Sequence, residues 1–135
     1  MNYKYCTILL CLVALALTGC DGGKKQISGK VTFSDGKPVT LGKVVFSTES
    51  FQATGTIQED GSYRMGTIGE KDGVPPGEYS VSVMGVARLD LGAMTSYPLC
   101  EEKYMSPQTS GLTITIPVPG NKYDIVLEPH PKYYP

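Results

Sequence analysis

The chain has 135 residues, enough for one domain with a true core, and its 41% hydrophobic and 19% charged residues are an ordinary globular balance. Twelve Lys and Arg against 13 Asp and Glu give a formal charge of −1, which offers no global attraction for nucleic acid. A single histidine, His130, removes most routes to a His-based metal site or a Ser-His-Asp triad.

Residues 1–5 make a short, weakly positive start, and residues 7–17 (TILLCLVALAL) form an uncharged apolar run. A bilayer-spanning helix needs about 20 apolar residues, so this run has the length of a signal peptide rather than of a permanent span. It ends in Leu17-Thr18-Gly19-Cys20, which resembles the lipobox of bacterial lipoproteins. There, a lipoprotein signal peptidase cuts directly ahead of a lipidated cysteine. The resemblance implies a cleaved signal at residues 1–19, cut between Gly19 and Cys20, and a diacylglyceryl thioether on Cys20. Each buried methylene contributes about 0.8 kcal/mol, so several chains anchor stably where one does not.

The expected location is the cell membrane or the outer membrane, lipid-anchored and facing the periplasm or the exterior. Asp21 resembles a signal for retention in the inner membrane. Residues 20–25 then serve as the lipidated position and a short tether, whose five residues after Cys20 span about 12 Å as a flexible coil. Of the four cysteines, Cys6 and Cys11 leave with the signal and Cys20 is alkylated, leaving Cys100 with no intramolecular partner. It is either a buried small hydrophobe or an exposed, oxidisable thiol.

From residue 26 the apolar positions alternate. Ile27, Val31 and Phe33 point one way, with Gly29 on the same side, and Asp35-Gly36-Lys37-Pro38 supplies a turn. Residues 43–47 form a second strand with Val44 and Phe46 inward, and residues 53–58 and 62–65 flank the Glu59-Asp60-Gly61 hairpin. Pro75-Pro76-Gly77 leads into residues 78–83 with Tyr79, Val81 and Val83 facing the core. Leu112, Ile114 and Ile116, then Tyr123, Ile125 and Leu127, complete the series. About seven short strands and no sustained helical period predict an all-β, seven-stranded antiparallel β-sandwich over residues 26–128, with a Pro/Tyr-rich tail at 129–135.

The succession Ile27-Ser28-Gly29-Lys30-Val31-Thr32, Asp35-Gly36-Lys37-Pro38, Asp60-Gly61-Ser62-Tyr63 and Pro76-Gly77-Glu78-Tyr79 resembles the carboxypeptidase regulatory-like domain of the transthyretin-like (prealbumin-like) sandwiches. Residues 104–112 are similar to the closing segment of small bacterial lipoproteins built on that domain. The resemblance implies a noncatalytic structural or interaction module. It does not extend to the hydroxyisourate hydrolases of the same fold, which use several histidines and end in Tyr-Arg-Gly-Ser, whereas this chain ends in His130-Pro131-Lys132-Tyr133-Tyr134-Pro135.

Asp35-Gly36, Asp60-Gly61 and Asp72-Gly73 read as turns rather than calcium loops, because none has the dense oxygen spacing of an EF-hand. Ser106 and Ser110 lack a Gly-x-Ser-x-Gly elbow. No catalytic residue, metal ligand or cofactor is expected beyond the covalent lipid. The stretch at 86–111 has little periodicity and holds Arg88, Met94, Tyr97, Cys100, Tyr104 and Met105. Long irregular loops in compact domains are uncommon unless functional. Arg88, Tyr97, Cys100 and Tyr104 are the candidate binding residues, for an envelope protein or alternatively for a small ligand or glycan. The other reading is a cover for a sheet edge that folds Tyr97 and Met105 onto the core, with one helical turn near residues 99–104.

Overall fold

The computed structural model describes residues 23–67 and 72–135. The expected signal peptide, Gly19, the lipidation position Cys20, and Asp21 and Gly22 of the tether lie outside the described residues. Among the described residues nine strands form in order: β1 (Ser28–Phe33), β2 (Lys43–Ser47), β3 (Gln52–Thr56), β4 (Ser62–Arg64), β5 (Gly77–Met84), β6 (Ala87–Asp90), β7 (Thr95–Pro98), β8 (Leu112–Ile116) and β9 (Ile125–Leu127). They make a three-stranded sheet β4-β1-β9, a four-stranded sheet β3-β2-β5-β8 and a separate ribbon β6-β7.

The alternation seen in sequence is the alternation of burial. Ile27, Val31, Phe33 and Tyr63 from the first sheet meet Val44, Phe46, Tyr79, Val81, Val83, Ile114 and Ile116 from the second in one core. The strands of both sheets turn one apolar face into this core, so neither sheet is stable without its partner layer. Phe46 sits at the centre, with its ring 6.3 Å from Tyr79 and 6.1 Å edge-on from Tyr123. At about 1.5–3 kcal/mol per fully buried large apolar side chain, this shared core is the main stabilising term.

Two features depart from the expected seven antiparallel strands. β9 runs parallel to β1, pairing Val31 with Ile125 and Phe33 with Leu127. A strand delivered by a crossover rather than a hairpin is free to run parallel. Here the chain leaves β8 in the four-stranded sheet and crosses, through a 3-10 turn at Pro119–Asn121, to the three-stranded one. β6 and β7 are the additional strands. Both lie inside the segment expected to be irregular, and their residues are almost all exposed or half-buried, so no alternation of apolar residues marks them.

The crossing also explains Gly29. Tyr123 passes so close that a Cβ at position 29 would stand 1.9 Å from its carbonyl oxygen. The Tyr123 N–H donates to Ser28 C=O (2.9 Å), and the Tyr63 hydroxyl donates to the Tyr123 carbonyl. Gly36 is different: its φ of +88° favours glycine, yet nothing lies within 4 Å of an added Cβ.

β5 gives the domain its two ends. At its start, Lys25 and Val74 exchange backbone hydrogen bonds of 2.8 Å in both directions, and Gly23 lies against Pro76. At its finish Met84 pairs with Lys43, and Gly85 touches Gly42. Eight residues at about 3.3 Å each separate these ends by about 25 Å. The chain's amino side therefore enters at one end, and the β6-β7 ribbon departs from the other.

Gly29→Ala is expected to cost at least about 4 kcal/mol in urea unfolding, because backbone must move. Gly36→Ala is expected to cost about 1–2 kcal/mol, the left-handed backbone term alone.

Candidate interaction site

After β5, Gly85 (φ +71°) turns the chain and Val86 is buried, which pins the base of the hairpin. The register runs Ala87 opposite Pro98, Arg88 opposite Tyr97, Leu89 opposite Ser96 and Asp90 opposite Thr95. Asp90 closes the tip, its Oδ1 accepting from Gly92 N–H (3.0 Å) and Ala93 N–H (3.1 Å). Met94 completes the turn at φ +50°. The result is an ordered hairpin whose tip is apolar: Leu89 is 70% exposed, Leu91 86% and Met94 93%. These are the three most exposed large hydrophobic residues among those described.

Alternation gives the hairpin two faces. Ala87 and Leu89, with part of Arg88, border an open, mostly apolar groove of about 460 Å³, completed by Leu41, Leu99, Tyr134 and Pro135. The other face carries Arg88 and Tyr97, with the guanidinium 5.8 Å from the ring centroid. Tyr97 also packs on Tyr133 (5.0 Å), which stacks on His130 (4.7 Å) and lies under Lys132 (5.1 Å). Tyr133 and Tyr134 thus fasten the last residues onto the domain, whose packing continues past Glu128.

Tyr134 docks at the far end of β1. Its ring is 4.5 Å from Phe33, and its hydroxyl donates to Asp35 Oδ2 at 2.8 Å. The Lys37 N–H first, and the Tyr134 hydroxyl second, hold the Asp35 carboxyl below its ordinary value. The hairpin, the groove and the tail accordingly occupy one end of the domain, opposite Gly23.

Of the four candidate binding residues, the structure brings Arg88 and Tyr97 together on the hairpin. It takes Cys100 and Tyr104 away from the surface. Cys100 is fully buried, and burial pushes its thiol up to about 11. Tyr104 is buried on the 3-10 turn Glu102–Met105, and its hydroxyl accepts from Glu128 N–H (3.3 Å). Both residue types pack well in a core, which is what the segment around them covers. Met105, expected to fold inward, is 37% exposed instead. Leu89 and Leu91 did not stand out in the sequence; the signal was their place on either side of Asp90, which opens an Asp-x-Gly turn, without any buried alternation.

Groups suggestive of catalysis are engaged elsewhere. Ser106 Oγ donates to Gln108, Ser110 Oγ donates to the Val81 carbonyl, and His130 Nδ1 accepts from Lys132 N–H (3.2 Å). Glu101 pairs with Lys103 at 2.8 Å. Among the described residues no three His, Cys, Asp or Glu side chains converge as a metal set. No helix among them is long and apolar enough to cross a membrane.

Comparisons with protein-family models, with characterised proteins and with solved structures give no match.

Cys100 should resist alkylation at pH 8, with roughly a hundredfold less thiolate than an ordinary cysteine, and react fully in denaturant. Tyr134→Phe should raise the Asp35 pKa toward 3.8, read by NMR titration. Because the folded value is depressed, the Asp35 contribution is complete above the ordinary 3.8 and is lost as pH falls from there through the lower folded value.

Proposed function

We propose that this chain is a membrane-anchored envelope lipoprotein whose β domain is a noncatalytic protein-interaction module, with the β6-β7 hairpin as its contact element. The observation that carries the reading is the exposed Leu89, Leu91 and Met94 on an ordered hairpin at the end opposite the amino side of the domain. Leaving three large apolar side chains in water forgoes about 1.5–3 kcal/mol each, which a partner surface recovers on binding.

The apolar run at 7–17 and the lipobox-like residues 17–20 support the anchor. With Cys20 three residues before Gly23, an anchored chain holds the amino end of the domain close to the bilayer and presents the hairpin away from it. The seven strands of the two main sheets, three in one and four in the other, support the transthyretin-like, carboxypeptidase regulatory-like reading. That architecture serves here to space the hairpin from the membrane by the length of β5.

The ligand or glycan alternative draws less support. A sugar-stacking platform needs a free aromatic face, and Tyr97 is packed between Arg88 and Tyr133.

Cys20→Ser is expected to release the protein from washed membranes into the soluble fraction; undiminished retention contradicts the anchor. Crosslinking of the lipidated protein in cells, followed by mass spectrometry, is expected to yield discrete protein adducts. Leu91→Asp combined with Met94→Asp should reduce them at least tenfold. Adducts indifferent to those changes contradict the hairpin as the contact element.

A further inference from the structure

The hairpin has two outer edges, and its register shows which one is open. Leu99 N–H donates to the Val86 carbonyl at 3.0 Å, extending the β6-β7 register by one pair beyond Ala87 and Pro98. In an antiparallel ladder, hydrogen-bonded and non-hydrogen-bonded pairs alternate. Counting from the bonded Val86–Leu99 pair, Arg88–Tyr97 and Asp90–Thr95 are bonded, while Ala87–Pro98 and Leu89–Ser96 are not. The backbone groups of Ala87 and Leu89 therefore point off the outer edge of β6, and those of Ser96 and Pro98 off the outer edge of β7. Pro98 has no N–H, so the β7 edge is blunted. The β6 edge keeps its donors and acceptors, and among the described residues no strand pairs with it.

We propose that this edge binds a second copy of the same chain, β6 against β6 in antiparallel register centred on Leu89. The inference rests on the hairpin being the contact element and names its partner. Three features of the strand favour a copy of itself. In this register Leu89 faces Leu89 of the second copy, so the outward-pointing backbone groups of the two strands meet, and Ala87 lies across from Leu91 at the start of the other copy's turn. Arg88 then stands opposite Asp90 of the second copy, and Asp90 opposite its Arg88. Both pairs fall on non-hydrogen-bonded positions, where Cα atoms approach to about 4.5 Å and side chains are closest.

Neighbouring registers are rejected by charge. Centring on Arg88 sets two guanidinium groups face to face, and centring on Asp90 sets two carboxylates face to face; like charges directly opposite destabilise a pair. Asp90 uses Oδ1 for its turn, which leaves Oδ2 for the incoming guanidinium. On the opposite face, the two Leu89 side chains meet beside the apolar groove of each copy.

An isolated two-stranded ribbon is marginal, and pairing converts two ribbons into one four-stranded sheet. The contact is small, below about 1,200 Å², the range of weak association. Confinement of both copies to one membrane raises their effective concentration and offsets that weakness.

The test is disulfide trapping of the full-length lipidated protein in its own membranes. Paired Leu89 Cα atoms would stand about 5.5 Å apart, within disulfide reach. Leu89→Cys is expected to give a homodimer on a non-reducing gel under mild oxidation, and Val126→Cys, exposed on β9, is expected to give none. Adding Arg88→Asp, which leaves the Asp90 turn intact, should reduce trapping at least tenfold. Arg88→Lys in its place, which keeps the positive charge opposite Asp90 and leaves the turn untouched, should retain most of the trapping. Trapping at position 89 no better than at 126, or undiminished by Arg88→Asp, overturns the self-pairing. If trapping fails while Leu91-dependent crosslinks to a different protein persist, self-pairing is wrong and the interaction-module reading stands; if both fail, both readings fall.

Discussion

The structure depends on one short pairing between distant parts of the chain, residues 99–101 against residues 128–130. Glu101 N–H donates to Glu128 C=O at 3.0 Å, and His130 N–H donates to Leu99 C=O at 2.8 Å. Between them Cys100 is wholly buried, and Tyr104 drops its ring into the core while its hydroxyl receives the Glu128 N–H. These bonds close the base of the hairpin on one side and bring the last residues back to the domain on the other. Together with buried Val86 and the Val86–Leu99 pair, they fix the direction in which the hairpin carries Leu89, Leu91 and Met94. The ordinary thiol at position 100 is thus a packing residue, and its raised pKa is a consequence of that burial.

From this base the geometry of the site follows. β5 is long enough to separate the amino end from the hairpin, and the Tyr134 ring on Phe33 shares the hairpin's end of the domain. Cation and aromatic side chains brace one face of the ribbon, while an open apolar groove flanks the other. An apolar tip on a braced ribbon is suited to docking, because little ordering entropy is lost on binding. The same exposed residues on a mobile loop would be an aggregation hazard instead.

Much of the framework was readable in the residues because each core strand buries one face. Val31 and Phe33, Val81 and Val83, Ile114 and Ile116 all obey period two, and the Asp-Gly turns close where expected. The direction of β9 was not readable, since alternation is the same for parallel and antiparallel neighbours. Val45 shows another limit. It lies on the face of β2 opposite Val44 and Phe46, yet it is buried. Met105, Pro107 and Gln108 border the same hollow, and that cover comes from a segment some 60 positions away, beyond any local pattern. The hairpin escaped because its two strands bury almost nothing, so binary patterning had nothing to register. Of the site residues, Arg88 and Tyr97 were legible by type; Cys100 and Tyr104 shared that chemistry but served the core.

If the proposed lipid anchor holds the chain at Cys20, the apolar hairpin faces away from the membrane and toward protein. A fluorophore on Leu91→Cys in the lipidated protein, bound to vesicles carrying doxyl-labelled lipids, measures this directly; buried Cys100 does not compete for the label. Emission is expected to be unaffected by the lipid quencher and reduced by an aqueous one. Strong quenching by the lipid label would put the hairpin in the bilayer and contradict the claim.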